Sequence, residues 1–406
     1  MADQALFAGS HFVLNILLAR WLTPTDYGAF ALAYSIFLLA VAFHGALLLE
    51  PMVIFGSGRY IRARRSYLGF VILGHVVVTG PAAVLMVGAG ALVGQFYSAT
   101  TGRALLILGA VLPIVLLMWL SRRAFYVELQ PLGATLGGLF YLGILVGAVV
   151  SLHAVGRLTV TAAILAMGGA ALVATAAQLP VLKPQWPHAR EGLNLRTLAR
   201  THWQYGRWAL ATAVMTWVPA NAYYPALAAG PGLSDTGALR ALMNLANPAI
   251  HTLFAFSMLV TPALVRQRDR GGLRQVRSSV QRLLTVSLIG AAAYFAVLWF
   301  FRHGIMGLLY SEKYTAYAGL PVGLIGLLPV VTCCTVALGG ALRAVERPDH
   351  VFWSYLVGSL VAVALGIPFA ARAGLVGALL GQLLSYSGIV ISMLLFYRRL
   401  YPMTES

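Results

Sequence analysis

About a dozen apolar stretches follow one another along this chain, each close to the ~20 residues that a helix needs to cross a bilayer core. They fall at 5–22, 27–49, 68–93, 104–120, 133–152 and 158–182. After a longer polar stretch they resume at 206–228, 238–264, 283–301, 316–342, 351–371 and 375–397. The runs are too long and too unalternating for barrel strands, and a backbone in hydrocarbon must satisfy its own hydrogen bonds, so each is read as a helix. With 60% hydrophobic and 10% charged residues, the chain is far too apolar for a soluble domain. The expected fold is an all-α polytopic membrane protein.

The basic residues set the orientation. Arg59, Arg62, Arg64 and Arg65 follow the second run, Arg122 and Arg123 the fourth, and Lys183, Arg190, Arg196, Arg200 and Arg207 the sixth. Arg266, Arg268, Arg270, Arg274, Arg277 and Arg282 follow the eighth, Arg343 and Arg347 the tenth, and Arg398 and Arg399 the last. Only Arg20, Arg103, Arg157, Arg240, Arg302, Lys313 and Arg372 fall on the other side. This threefold excess on alternate loops places both termini in the cytoplasm. It also accounts for the net charge of +17 without nucleic acid, since the arginines sit against anionic lipid headgroups. No cleaved targeting segment is evident, because Asp3 stands where a basic n-region belongs and no small-x-small site follows. The two cysteines, Cys333 and Cys334, are adjacent and suggest neither a disulfide framework nor a metal site.

The chain reads as a duplication. Asp26-Tyr27-Gly28-Ala29-Phe30 opens the second run of the first half, and Asp235-Thr236-Gly237-Ala238-Leu239 opens the second run of the second half. Pro51 before an arginine-rich loop answers Pro262 before another. Arg123-Ala124 with Glu128 and Pro131 answers Arg343-Ala344 with Glu346 and Pro348. The matches keep their order, which supports two six-helix bundles over 1–182 and 206–406 joined by a cytoplasmic linker over 183–205. Six is even, so the repeats are parallel, an arrangement that suits a transporter with a midplane cavity.

An enzyme is not expected. The longest polar connection, 183–205, leaves little room for a catalytic domain, and no His-Glu-x-x-His, P-loop, Gly-x-Ser-x-Gly or paired-cysteine motif occurs. No cofactor or metal is implied. Gly88, Gly90 and Gly94 read as helix contacts rather than a dinucleotide loop, as do the pairs Gly133 with Gly137 and Gly377 with Gly381.

Ionisable groups inside a membrane are costly and mark function. The 11 acidic residues lie almost wholly in loops or at helix ends, and only Glu50, beside Pro51, is placed to sit inside. A cation-coupled drug exporter would be expected to bury carboxylates. Arginine and amide groups are better represented: Asn15 and Arg20 share the first helix, and Arg240, Asn244 and Asn247 recur along one face of the eighth. Such a stripe could hold a phosphate and sugar hydroxyls, because guanidinium presents a fork of donors to phosphate oxygens. Plainer readings stand beside these: Arg20 snorkelling to headgroups, Asn244 and Asn247 bonding between helices, and Glu50 ending a helix. His11, His44, His75 and His251 are scattered, and read equally as packed neutral residues or proton carriers. Pro219 and Pro225 around Asn221, and Asn247-Pro248, read as hinges or static kinks. Tyr205, Trp208, Trp217, Tyr310, Tyr314 and Tyr317 read as interfacial belts.

The opening run, Asp3-Gln4-Ala5 through Asn15-Ile16-Leu17-Leu18-Ala19-Arg20-Trp21-Leu22-Thr23-Pro24 to Asp26-Tyr27-Gly28-Ala29-Phe30, resembles that of bacterial polysaccharide-transport proteins. These are the O-antigen and exopolysaccharide flippase branch of the multidrug/oligosaccharidyl-lipid/polysaccharide exporter superfamily. Arg122-Arg123-Ala124-Phe125-Tyr126, Tyr310-Ser311-Glu312-Lys313-Tyr314 and Gly374-Leu375-Val376-Gly377-Ala378 resemble its fourth-loop, ninth-loop and last-helix patterns. The family usually carries a short cytoplasmic lead, often basic, whereas this chain begins almost in the membrane, so a truncated start remains open.

The resemblance implies a MATE-like fold of about twelve helices in the bacterial inner membrane. It implies a flippase that moves an undecaprenyl-diphosphate-linked oligosaccharide to the periplasmic leaflet by alternating access, with Arg20 and Arg240 on the diphosphate. Its partners would be the lipid-linked oligosaccharide, membrane lipids and a polysaccharide polymerase or synthesis complex. The alternatives are H+- or Na+-coupled efflux of drugs or metabolites on the same fold, with Glu50 central, and a membrane enzyme or assembly partner of polysaccharide synthesis.

Overall fold

A computed structural model describes residues 2–186 and 194–401, in which every regular element is a helix. Arg190, counted above with the linker arginines, lies outside the described residues. The chain divides into two compact units, Met1–Val214 and Met215–Ser406.

In the first unit α1 is Ala2–Trp21 and α2 is Pro24–His44, which runs on through a π turn, Gly45–Leu49, into a further helical piece, Glu50–Gly56. Then come α3 (Arg64–Phe96), α4 (Ala99–Val127), α5 (Pro131–Ala154) and α6 (Val160–Leu182). Next is α7, Leu195–Asn221, continued by Tyr223–Ala229; the boundary between the units falls inside it. Helix thus begins at Leu195, within the polar stretch read above as linker.

The second unit holds the rest. Leu233–Phe300 is two helices, because Gly271 and Gly272 leave helical geometry and Gly272 has φ +64°; α8 is 233–270 and α9 is 273–300. A short helix, Arg302–Tyr310, leads to α10 (Leu320–Ala344). Pro348–Val361 and a π turn, Ala362–Gly366, begin α11, and a second break at Ala373–Gly374 separates it from α12, residues 375–400. Among the described residues, eight stretches are long and apolar enough to cross a membrane. Two of them, Leu233–Phe300 and Pro348–Leu400, each contain a pair of helices, and α1 and α7 complete the twelve.

Local chemistry sets the ends. Thr23 caps α2 by accepting from the Asp26 N–H at 3.1 Å, with Pro24 in the first turn where its missing donor costs nothing. Ser98 and Thr159 do the same for α4 and α6 through the N–H groups of Thr101 and Ala162. The second helices of the two halves share an aspartate but use it differently. Asp26 also receives the Thr23 hydroxyl at 2.8 Å, within its own cap, whereas Asp235 reaches the start of α12 and accepts from the Leu375 N–H at 3.1 Å. There Gly374 has φ +57°, and a Cβ on it would lie 2.6 Å from an Asp235 oxygen, so glycine is required.

The fourth and tenth helices end alike. Leu129 (φ +57°) and Glu346 (φ +61°) are left-handed, and the next N–H groups, of Gln130 and Arg347, return to the carbonyls of Phe125 and Leu342 at 2.9 and 3.0 Å. Proline then opens the following helix in each unit. Beside each turn is an ion pair of the same kind: Arg64 with Glu128 at 2.9 Å in the first unit, Arg268 with Glu346 at 3.1 Å in the second. The sequence correspondence of these two corners is therefore a structural one.

Glycines bring helices together where the sequence marks them. A Cβ on Gly102 of α4 would collide with the Gly94 backbone of α3, and one on Gly381 of α12 would lie 2.5 Å from Gly366 Cα at the π turn of α11. Gly133 and Gly137 abut Phe125 and Gln178 in the same way, while Gly88 meets nothing within 4 Å.

Two expectations need correction. Asn247-Pro248 does not interrupt α8, which keeps helical geometry until Gly271. Tyr310 and Tyr314 are not belt residues: both are buried, and the Tyr310 hydroxyl donates to the Ala241 carbonyl of α8 at 2.8 Å. The turn between them contains two left-handed residues, Ser311 and Glu312.

Candidate functional site

Buried polar groups gather in the first unit around the π turn of α2 and Pro51, the stretch referred to below as the bend. Proline has no N–H, so Pro51 cannot donate to the carbonyl of Leu47 four residues earlier. His202, from the cytoplasmic-side start of α7 in the sequence reading, supplies the donor: its Nδ1 lies 3.2 Å from the Leu47 oxygen. Nδ1 then carries the hydrogen, so Nε2 is the acceptor and takes the Tyr67 hydroxyl of α3 at 2.7 Å. The Tyr67 oxygen also lies 3.3 Å from the Pro51 carbonyl. Tyr67 and His202 are both buried, in a wall of Phe55 and Phe70 rings. One histidine and one tyrosine thus hold a bend that the proline opens.

The same bend carries Glu50 and His44. Glu50 is exposed, accepts a hydrogen bond from Tyr205 of α7 and faces Arg123 of α4. One turn earlier, at the edge of the π turn, His44 meets His75 of α3 with Nε2 to Nδ1 at 3.0 Å and the rings nearly perpendicular. His75 makes a further hydrogen bond to the Pro113 carbonyl of α4.

Asn15 lies between α1 and α2. It is buried, donates to the His11 carbonyl at 2.7 Å and accepts from the Tyr27 hydroxyl at 3.2 Å. His11 in turn meets the Tyr34 hydroxyl at 3.1 Å. Arg20 ends α1 and is half-buried. Of the candidates expected in this unit, Asn15 is engaged between helices, while Arg20 and Glu50 reach partly or fully exposed positions.

In the second unit α8 carries Arg240, Asn244 and Asn247. Arg240 is 9% exposed and stands over the Tyr224 ring at 6.0 Å; Asn244 is 2% exposed, and Asn247 is half-buried. A guanidinium buried this far in an apolar helix is expensive unless it meets polar or anionic groups. Nearby, the Tyr223 hydroxyl bonds to the Ser385 hydroxyl of α12 at 2.7 Å.

Three solved structures define the fold at low sequence identity. An inward-facing multidrug resistance MATE family transporter of the MOP superfamily aligns with TM-score 0.81 at 12% identity, over 99% of this chain and 96% of that one. The lipid II flippase MurJ, in an inward closed conformation, aligns with TM-score 0.77 at 13% identity, over 98% and 86%. A MOP superfamily transporter from Pyrococcus furiosus, described as having a binding pocket of reverse polarity, aligns with TM-score 0.71 at 12% identity, over 98% and 94%. The chain has a MATE-like fold. No family model matches the sequence, and no curated protein matches it significantly.

Within that fold the carboxylates are spent at helix ends. Asp26 and Asp235 cap helices, Glu128 and Glu346 pair with Arg64 and Arg268, and Asp349 pairs with Arg347 at 2.9 Å. No group of three or more metal-binding side chains occurs among the described residues. The sequence reading missed the role of Tyr67 and His202, and it treated His44 and His75 as unrelated. A proline seven residues after a histidine was the one available signal, because it announces an unpaired carbonyl; the residue that answers it is remote in sequence.

Proposed function

We propose that this MOP-fold chain is a flippase that carries an undecaprenyl-diphosphate-linked oligosaccharide from the cytoplasmic to the periplasmic leaflet of a bacterial inner membrane, serving O-antigen or exopolysaccharide synthesis. The observation that carries the reading is the contrast of buried charge. Arg240 is buried within a membrane helix beside Asn244, while Asp26 and Asp235 cap helices and Glu128, Glu346 and Asp349 pair with arginines at helix ends. A guanidinium offers paired donors to a diphosphate, and amides suit sugar hydroxyls. Arg20, Asn15, Asn247 and Glu50 complete the proposed set, with the lipid tail remaining in the bilayer. The resemblance of the opening sequence to polysaccharide-transport proteins supports the same substrate class. So does the likeness to MurJ, a lipid II flippase. A polysaccharide polymerase or synthesis complex would receive the product.

Translocation of a labelled polyprenyl-diphosphate oligosaccharide in proteoliposomes tests the reading. Wild-type transport that fails in R20A/R240A is the expected result. Transport unchanged in that variant would refute the arginine site. Absence of sugar-lipid transport together with cation-dependent drug exchange, lost in E50Q, would move the protein to efflux, the function named for its MATE neighbours.

A further inference from the structure

The π turn of α2 begins immediately after His44, and His44 is fully buried against His75. The hydrogen bonds fix the tautomers. His75 donates to the Pro113 carbonyl, which uses its Nε2 hydrogen and leaves Nδ1 as an acceptor. His44 therefore carries its hydrogen on Nε2, which donates to His75 Nδ1. That leaves His44 Nδ1 as a bare lone pair, buried and without a hydrogen-bond partner among the described residues. A structural histidine pair needs no such lone pair, and a buried acceptor left unmet costs about 1–3 kcal/mol.

We propose that His44 and His75 form a single proton-binding site, the point at which this transporter takes up a coupling proton. The assignment rests on the transporter reading, and it adds the ion and its location. Hydronium transfers a proton to the His44 Nδ1 lone pair: one N–H bond forms, one O–H bond of the hydronium breaks to leave a water molecule, and the charge of +1 passes to the pair, shared along the Nε2–H···Nδ1 contact. The pair accepts one proton and no second, because the remaining ring nitrogens are committed to each other and to Pro113.

The surroundings isolate the site. From α4 the ionisable neighbour of the bend is Arg123, which faces Glu50. From α7 it is His202, taken up by Leu47 and Tyr67, and Tyr205, bonded to Glu50. From α1 it is His11, bonded to Tyr34; from α3 it is Tyr67 besides His75; α6 contributes no ionisable side chain. Each imidazole is thus the other's only titratable partner among the described residues. A charge sealed in this setting is costly, so proton uptake is linked to opening of the bend: acid favours the open form, and closing favours release. The π turn supplies a two-state element. Losing its extra residue turns one side of α2 against the other by about 100°, which would carry His44 away from His75.

The test uses full-length protein in nanodiscs and reads the imidazole nitrogens by 15N NMR as pH is lowered. Glutamine at 44 retains a donor at the Nε2 position, and asparagine at 75 retains an acceptor at the Nδ1 position, so H44Q and H75N preserve the contact while removing the proton site. Equal melting temperatures confirm that both variants fold. One imidazolium per chain, lost in each variant, supports the site. Two independently titrating rings, or no pair signal that changes down to the pH of unfolding, would overturn it.

Proteoliposomes with an imposed pH gradient then test coupling. Wild type should gain the about tenfold bias that one pH unit gives a one-proton site, and H44Q should lose that bias while keeping downhill exchange. A bias retained in H44Q would overturn coupling at this pair. If wild type moves no sugar-lipid at all, the substrate assignment fails while the NMR result still decides the proton site.

Discussion

The bend of α2 and the corresponding stretch of α8 begin from the same sequence device, a proline ahead of an arginine-rich segment, and are packed in opposite ways. At Pro51 the neighbours are polar: His202 answers the Leu47 carbonyl, Tyr67 answers His202, and the His44–His75 pair closes the other side of the π turn. Beside Pro262 the contact across helices is with a glycine: Val260, Leu264 and the Thr261 hydroxyl of α8 lie on Gly340 of α10, with the nearest side-chain approach to a Cβ there at 3.1 Å. The Pro262 carbonyl accepts from Arg266 of the same helix at 3.4 Å, and α8 stays helical. Directional bonds fix one geometry, whereas an apolar contact on glycine tolerates displacement along the helix. The two helices thus carry a hydrogen-bonded clasp beside the proline in one unit and a close glycine contact beside it in the other.

The largest effect expected from this contrast is at His202. H202A leaves the Leu47 carbonyl without its donor and Tyr67 without its acceptor, and should cost about 1–3 kcal/mol, read by thermal unfolding in detergent. V260A in α8 removes only apolar contact and should cost about half as much. Equal losses would erase the distinction between the two prolines.

A double-mutant cycle sharpens it. P51A restores an N–H four residues after Leu47, so the carbonyl regains an ordinary helical partner. In that background H202A should cost about 1 kcal/mol less than in wild type. Additive losses would mean that the histidine serves packing rather than the open carbonyl.

The aspartate pair comes next. D235A removes the acceptor at the start of α12 and should lower stability by about 1 kcal/mol. D26A should cost about half that, because Thr23 remains as the cap of α2. The smallest effects belong to the two corner ion pairs. Glu128 is 12% exposed and E128A should cost about 0.5 kcal/mol, while Glu346 is 81% exposed and E346A should leave the melting temperature unchanged. A larger loss at Glu346 would show that the second corner bears load that its exposure conceals.

The helices were legible because a bilayer demands a long apolar run, and every expected run contains a helix. Their ends were less so. Transmembrane helices continue into polar sequence once capped, as α4 does from Ser98 to Val127 and α7 from Leu195, where hydropathy has already fallen. The likeness of the two corners was legible because Arg-Ala, Glu and Pro recur there in the same order, at 123–124, 128 and 131 and at 343–344, 346 and 348. The polar bend was not. Tyr67 and His202 meet only through packing, and the two tyrosines assigned to a membrane belt, Tyr310 and Tyr314, are indistinguishable from belt residues until α8 is placed against them.

The cap on α12 bears on how the protein is made. Domains are built as the chain emerges, from the N-terminus onward. Asp235 is therefore synthesised and inserted well before Gly374 and Leu375 exist, and its carboxylate waits at the membrane boundary for the final helix to arrive. A nascent chain stopped short of Leu375 would present this unanswered acid, together with the uncovered glycine face of α11. Quality-control machinery in the membrane would have a chemical mark by which to tell an unfinished molecule from a completed one.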